Sequence, residues 1–333
     1  WDYVNWQLKV ADVNGSVTCD LTFDTISTTY LNNYITGLCN SGTTLGTCSS
    51  ETASSQGTGA LVYENGVRYE GKNPNNYVLF NNELWRIIGV FDSTSHGQSG
   101  NLVKIIRDDS IGGYTWDSAG TNDWPNSSLY HLLNGAYYDW DTNGSSVNSY
   151  CYGYSSTVLS NCDLSASGIQ DGYRPMIVNA KWYLGGPGRG SYTSYYPDDI
   201  YGYERNESAV SPSRSAYKIA NVGLMYYSDY GYGVLNSSCP RNSYLLNAMS
   251  GYGTAECAGS NWLYKSGNEW LITPISATSA SSSSSTAKIS YLGHAFSGGT
   301  YDDYNVRPVV YLNSSVYKVS GTGTATDPYI IGM

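Results

Sequence analysis

Charge is scarce in this chain of 333 residues: only 13% are Asp, Glu, Lys or Arg, about half the usual ~25%. What charge there is leans acidic, net −10 with a pI near 4.6. That balance argues against nucleic acid and against anionic membrane surfaces as partners. No run of 18 apolar residues occurs, so no helix of this chain is expected to span a bilayer. Histidine is nearly missing, with three copies, and no Cys-x-x-Cys pair accompanies them, which removes the usual structural zinc sites. Gly-x-Ser-x-Gly, His-Glu-x-x-His and Walker sequences are absent too, and with them the common hydrolase and nucleotide motifs. The chain opens at Trp1 without Met or a leader-like stretch, the expectation for a processed, mature protein.

Polarity is carried instead by Ser, Asn, Thr, Gly and Tyr. The 34 tyrosines and 9 tryptophans against 4 phenylalanines mean that aromatic area comes with hydrogen-bonding tips. Such a palette suits contact surfaces, and it equally suits the solvated strand faces of an extracellular β-rich protein. Seven cysteines lie at 19, 39, 48, 151, 162, 239 and 257. Their spacing predicts three local bridges, Cys39–Cys48, Cys151–Cys162 and Cys239–Cys257, each closing a Gly/Ser/Asn-rich loop in an oxidising compartment. Cys19 is left over, as a buried thiol or an intermolecular partner.

The stretch 76–107 reads as an antiparallel meander. Three runs rich in β-branched and aromatic residues are separated by an Asn81-Asn82 turn and a polar loop at 92–101. Its second run is apolar enough to be a central strand covered on both faces. Before it, Asn65-Gly66 between alternating arms predicts a hairpin. Val4, Trp6, Leu8 and Val10 alternate with polar residues and predict a half-buried N-terminal strand. A short helix is expected over 30–38. A helix capped at Asn126 or Ser127 should carry Leu129, Leu132, Leu133, Ala136 and Tyr137 on one face. A second main helix is expected over 172–184, with a short one over 243–249. Strands are expected at 222–227, 262–264, 270–275, 288–292 and 306–312, with a flexible Ser/Ala/Thr tip at 276–287.

From about residue 61 onward the chain resembles uncharacterised secreted or surface proteins of Gram-positive-type gut bacteria. The residues that carry the likeness are Tyr77-Val-Leu-Phe-Asn-Asn-Glu-Leu-Trp-Arg-Ile-Ile-Gly89, Val103-Lys-Ile-Ile-Arg107 and Val222-Gly-Leu-Met-Tyr-Tyr-Ser-Asp-Tyr-Gly-Tyr232. Trp262-Leu-Tyr264, Trp270-Leu-Ile-Thr-Pro274, Val306-Arg-Pro-Val-Val-Tyr-Leu312 and the closing Gly321-Thr-Gly-Thr…Asp-Pro-Tyr329 extend it. The order of helices and strands further resembles a C-type-lectin-like fold, shared by sulfatase-modifying and diversity-generating receptor-binding proteins. The resemblance implies an α+β protein with antiparallel sheets and two main helices over 59–333, preceded by a small β-rich N-terminal segment over 1–58. Fold alone does not assign function.

Asp139, Asp141, Asn143 and Ser145, with Gly144 at the sharp turn, match the first half of a calcium loop, but position 12 is Tyr150 rather than Glu. Calcium is the one cofactor candidate. Glu-Pro-Asn and Gln-Pro-Asp, the calcium-dependent sugar motifs of lectins, do not occur, which leaves stacking on tyrosine as the route to a glycan. His96, His131 and His294 read as structural, and the cysteines read as staples rather than as a reactive pair. The expectation is therefore a non-enzymatic extracellular, cell-surface protein with a structural or adhesive role, self-associating into an oligomer or pilus-like filament. The alternative is a carbohydrate-binding module for a host or microbial glycan. Either the strand bearing Val4, Trp6, Leu8 and Val10 or the C-terminal Pro328-Tyr-Ile-Ile331 segment is expected to link subunits.

Overall fold

The meander is the spine of the molecule. The computed structural model describes residues 29–39, 48, 55–139, 150–159, 163–188, 195–275 and 285–333. Tyr77–Phe80 turns through Asn81 and Asn82, both left-handed at φ 57° and 60°, into Glu83–Phe91. Asn is among the few residues besides Gly that tolerate this region, which is why the pair makes so tight a connection. On its opposite edge the long strand takes Leu102–Arg107 antiparallel, with Ile88 as an extra residue between the Ile87 and Gly89 pairings. Trp85 through Phe91 are all buried, so this strand is central.

Glu83–Phe91 outlasts Tyr77–Phe80, and the rest of that edge pairs with Val67–Asn73 through Arg68↔Gly89 and Val67↔Val90. A Cβ at residue 89 would lie 2.4 Å from the Val67 carbonyl oxygen, so the close approach requires glycine. The sheet then extends through Thr58–Tyr63 to Ser55–Gln56 on one flank. On the other it runs through Tyr329–Gly332 and Tyr317–Ser320 to Thr29–Tyr30, while Val309–Leu312 adds beyond Leu102–Arg107. Tyr329–Gly332 is parallel to Tyr77–Phe80 and antiparallel to Tyr317–Ser320. The C-terminal segment expected to link subunits thus has both strand edges occupied within its own sheet.

A five-stranded sheet lies beside this one, in the order Ala295–Gly299, Ser285–Ile289, Glu269–Pro274, Asp303–Asn305, Gly113–Thr115. With its few short helices the protein is α+β. Ser127 caps the helix Ser128–Leu132, accepting from the Tyr130 N–H at 3.1 Å. The helix runs on through a wider turn, Leu133–Tyr137, and buries Leu129, Leu132, Leu133 and Tyr137 as its periodicity predicts.

The second main helix does not form. Over 172–184 the chain makes a single tight turn, Arg174–Met176, and then a strand, Ala180–Tyr183, paired with Tyr217–Ala220. Ala180, Trp182 and Leu184 are buried while Lys181 and Tyr183 are half-buried, so a two-residue period overrides the apparent 3.6-residue stripe. The expected helix over 243–249 is likewise a series of turns, and the short helix that follows, Ala255–Ala258, carries Cys257 itself. Residues 222–227 contribute one bridge, Gly223↔Val309, before the helix Tyr227–Gly231, and 262–264 form a turn.

The helix Leu31–Gly37 buries Leu31 and Ile35 in the same core as the meander, and the Leu31 N–H donates to the Val316 carbonyl at 2.8 Å. The described part of the 1–58 segment is therefore built onto the main sheet. Val4, Trp6, Leu8, Val10 and Cys19 lie outside the described residues, as does most of the Ser/Ala/Thr tip.

Cys39–Cys48 and Cys239–Cys257 are joined, with Cα atoms 4.9 and 5.3 Å apart. Cys151 is buried and disulfide-bonded; Cys162, its expected partner, lies outside the described residues. Replacing Cys239 and Cys257 together by serine opens a link of sequence separation 18 and is expected to cost about 3 kcal/mol in denaturant unfolding. A loss under about 1 kcal/mol would mean that packing alone holds this loop.

Tyrosine proves to be a core residue here. Tyr69, Tyr137, Tyr226, Tyr227, Tyr230, Tyr252 and Tyr311 are all essentially inaccessible. Three of these hydroxyls reach backbone acceptors where phenylalanine would need none: Tyr227 donates to the Ala295 carbonyl at 2.6 Å, Tyr252 to that of Gly231 at 2.6 Å and Tyr230 to that of Gly293. The indoles of Trp182, Trp262 and Trp270 do the same toward Ala220, Tyr69 and Tyr114.

Candidate functional site

Where the central strand ends, three segments close around a polar cleft of about 120 Å³. The hairpin tip supplies Tyr63, Asn65 and Gly66, the loop after the central strand supplies Asp92, Thr94 and Ser95, and the helix Pro197–Arg205 supplies Tyr201. Cofactor and drug-sized ligands fill pockets of roughly 300–1,000 Å³, and this one lies well below that range.

Each wall is fixed by chemistry outside the cleft. The Tyr63 N–H donates to the Cys48 carbonyl at 2.7 Å, which ties the hairpin to the Cys39–Cys48 bridge. Arg68 Nε donates to the Glu64 carbonyl at 2.7 Å, and Arg241 pairs with the Glu64 and Glu70 carboxylates at 2.9 and 3.0 Å. Asn65 is left-handed, at φ 53°, and its Nδ2 donates to the Tyr232 hydroxyl, which donates onward to Asp198 Oδ1. At Gly66 a Cβ would strike the Phe91 ring at 2.6 Å, so glycine lets the tip close down on the strand end. Asp92 caps the short helix Ser93–His96, its Oδ1 accepting from Thr94 N at 3.0 Å and Thr94 Oγ1 at 2.6 Å. The Thr94 carbonyl accepts from the Tyr183 hydroxyl at 2.7 Å. Tyr201 lies against the Arg205 guanidinium, 3.5 Å from its ring centroid.

Beneath the cleft sits a buried charge cluster. Asp229 accepts from Arg68 Nη1 at 2.8 Å and from Lys104 Nζ, all three side chains being about 1% exposed. Burial alone would raise the Asp229 carboxyl, but the Lys104 ammonium and the Arg68 guanidinium outweigh it and hold it well below the usual carboxylate range. Burial pulls Lys104 down, against the attraction of Asp229, to about 8. The cations are also covered by rings: Arg68 lies 4.6 Å from the Phe91 and Tyr232 centroids, and Lys104 lies 4.4 Å from that of Tyr226. Next to this, Glu204 accepts from Ser228 N at 3.1 Å and Thr273 Oγ1 at 2.7 Å, and burial raises its carboxyl despite Arg205.

Of the expected site residues, Asp139 is exposed and pairs with Arg174 at 3.1 Å, while Asp141, Asn143 and Ser145 lie outside the described residues. His96 is fully buried with Nε2 3.1 Å from the Phe91 carbonyl, and His294 Nδ1 is 3.1 Å from Ser290 Oγ. Sequence reading treated the Asn65-Gly66 turn and the 92–101 loop only as connections. The one signal for the cleft was the crowding of Tyr, Asn, Asp and Ser at both turns. No family model, curated protein or solved structure matches the chain.

Proposed function

We propose that this chain is an extracellular bacterial cell-surface protein with a structural and adhesive role. The observation that carries the reading is the solvent-open polar cleft, fringed by tyrosines and set on a hairpin tied to a disulfide. Tyr, Ser, Asn and Gly are the residues that contact surfaces use, because tyrosine gives area at low entropy cost while the small polar groups adapt. The disulfides fit an oxidising environment outside the cell. In this reading the fold is C-type-lectin-like and the chain has no catalytic role. Self-association into an oligomer or pilus-like filament is assigned to the N-terminal stretch bearing Val4, Trp6, Leu8 and Val10, and calcium to Asp139, Asp141, Asn143 and Ser145.

The second reading, a carbohydrate-binding module, is favoured by the same lining of rings and hydroxyls. To test the adhesive role, protein-coated beads are presented to epithelial cells, mucin and bacterial cell walls. Retention well above uncoated beads is expected on at least one surface; retention at background on all three would end the adhesive reading.

A further inference from the structure

We infer that the open edge of the strand Tyr217–Ala220 receives the stretch bearing Val4, Trp6, Leu8 and Val10 from a second copy of this chain. The inference rests on the filament reading and supplies the surface that the stretch joins. Leu184 N donates to the Ala216 carbonyl at 2.9 Å, so Ala216 faces the partner strand Ala180–Tyr183. Facing alternates along a strand. Lys218 and Ala220 therefore turn toward that partner, and the backbone groups of Tyr217 and Ile219 turn away from it. Among the described residues no strand pairs with this outer edge, and no hydrogen bond reaches the N–H or carbonyl of Tyr217 or Ile219. Their side chains share one face and are 46% and 43% exposed. A row of unpaired backbone groups beside apolar side chains is a template for another strand.

The template is fixed from behind. Trp182 is buried against Tyr226 and Tyr311, its Nε1 donates to the Ala220 carbonyl at 3.1 Å, and Tyr183 N donates to the Tyr226 hydroxyl at 2.6 Å. Other edges offer less. The main sheet ends in two-residue strands, Thr29–Tyr30 and Ser55–Gln56. At the edge Ala295–Gly299 the outward groups are taken: Ala295 N by the Leu246 carbonyl, its carbonyl by the Tyr227 hydroxyl, and Gly299 N by Asp302 Oδ2. Charge and pattern select the occupant. Two copies of net charge −10 repel, so contact between them must fall where acid is scarce. Residues 179–184 and 215–221 contain Lys181 and Lys218 and no acid, and Lys181 holds Glu207 in an ion pair. The stretch 2–12, with Asp2, Lys9 and Asp12, carries the opposite sign. Its strict alternation seats Val4, Trp6, Leu8 and Val10 on the face shared by Tyr217 and Ile219, and a slip of one residue would turn them all away. Because the stretch and the edge are different surfaces, each added copy leaves a fresh edge open and the assembly grows head to tail.

The test is sedimentation velocity of the full chain, of Trp6→Glu and of Ile219→Pro. Wild type is expected to form species larger than the monomer, and each variant should raise the concentration needed for assembly at least about tenfold. An edge strand tolerates proline where the missing N–H pointed outward, so Ile219→Pro should keep the wild-type melting temperature. If it melts early, Ile219→Glu, which leaves the backbone intact and charges the contact face, takes its place. The decisive sample is the mixture. Trp6→Glu keeps a working edge and Ile219→Pro a working stretch, so together they should form a dimer and nothing longer. A mixture that stays monomeric overturns the inference. So does a Trp6→Glu chain that still pairs while Ile219→Pro does not, since that would join two Tyr217–Ala220 edges directly. Assembly of both Ile219 variants like wild type removes this edge and keeps the filament reading, whereas a wild type that stays monomeric removes both.

Discussion

Asp229→Asn is expected to destabilise the protein by about 3–5 kcal/mol, the usual consequence of leaving a buried charge without its partner. The asparagine can still accept from Tyr226 N, the bond at 3.0 Å that caps the helix Tyr227–Gly231, so the loss reports on charge rather than on capping. Two cations, Arg68 and Lys104, would then share an interior with no carboxylate between them. Arg68 cannot shed its proton, but Lys104 can, since burial already brings it to about 8. The variant should therefore gain stability as pH rises from neutral to about 9, below the ionisation of the unfolded phenols, because the unfolded lysine keeps its proton there and the folded one does not. At the acid end the Asp229 carboxyl of wild type gives a slope of the same sign. The depressed Asp229 carboxyl contributes stability above its ordinary value of 3.8 and loses it as pH falls toward the folded value. Urea unfolding across pH measures both effects. A loss below about 1 kcal/mol, or a variant whose stability falls between pH 7 and about 9, would mean that the cluster is not the charged triad described here.

Local chemistry was legible in the sequence and long-range chemistry was not. The Asn81-Asn82 turn, the apolar run of Glu83–Phe91, the Ser127 cap and the pairings of Cys39 with Cys48 and Cys239 with Cys257 are each set within a few to about twenty residues. The stretch 172–184 misled because its apolar residues satisfy a helical and an alternating pattern at once. The partner strand Tyr217–Ala220, far along the chain, decides between them. Both the cleft and the charge cluster are products of that same distance. Tyr63 meets Tyr201, and Arg68 meets Asp229, only after the helices Pro197–Arg205 and Tyr227–Gly231 fold back over the hairpin. Tyrosine misled for a different reason: composition counts rings but does not say which hydroxyls will find a carbonyl inside.

Those buried phenols set the alkaline limit of the fold. Tyr69, Tyr226, Tyr227 and Tyr230 are fully buried, and burial, with some help from neighbouring phenols, raises each well above the ordinary value of 10.0. A phenol raised in the folded state stays protonated there after its unfolded counterpart has ionised. The stability it contributes is complete below pH 10 and drains away above it. Each such group costs about 1.4 kcal/mol per pH unit, so these four alone remove about 5 kcal/mol for every unit beyond 10. A domain's whole stability is roughly 5–15 kcal/mol, and unfolding is therefore expected within one to three units above pH 10. Spectrophotometric titration should show the buried phenolates appearing together, in a steep step that coincides with loss of the far-ultraviolet strand signal. Tyr226→Phe removes one of these groups along with the bond from Tyr183 N to its hydroxyl at 2.6 Å. That variant should be less stable at neutral pH yet lose stability less steeply above pH 10. A phenolate signal that rises gradually while the strand signal holds would show that these rings ionise inside the folded protein, and the argument from burial would fail.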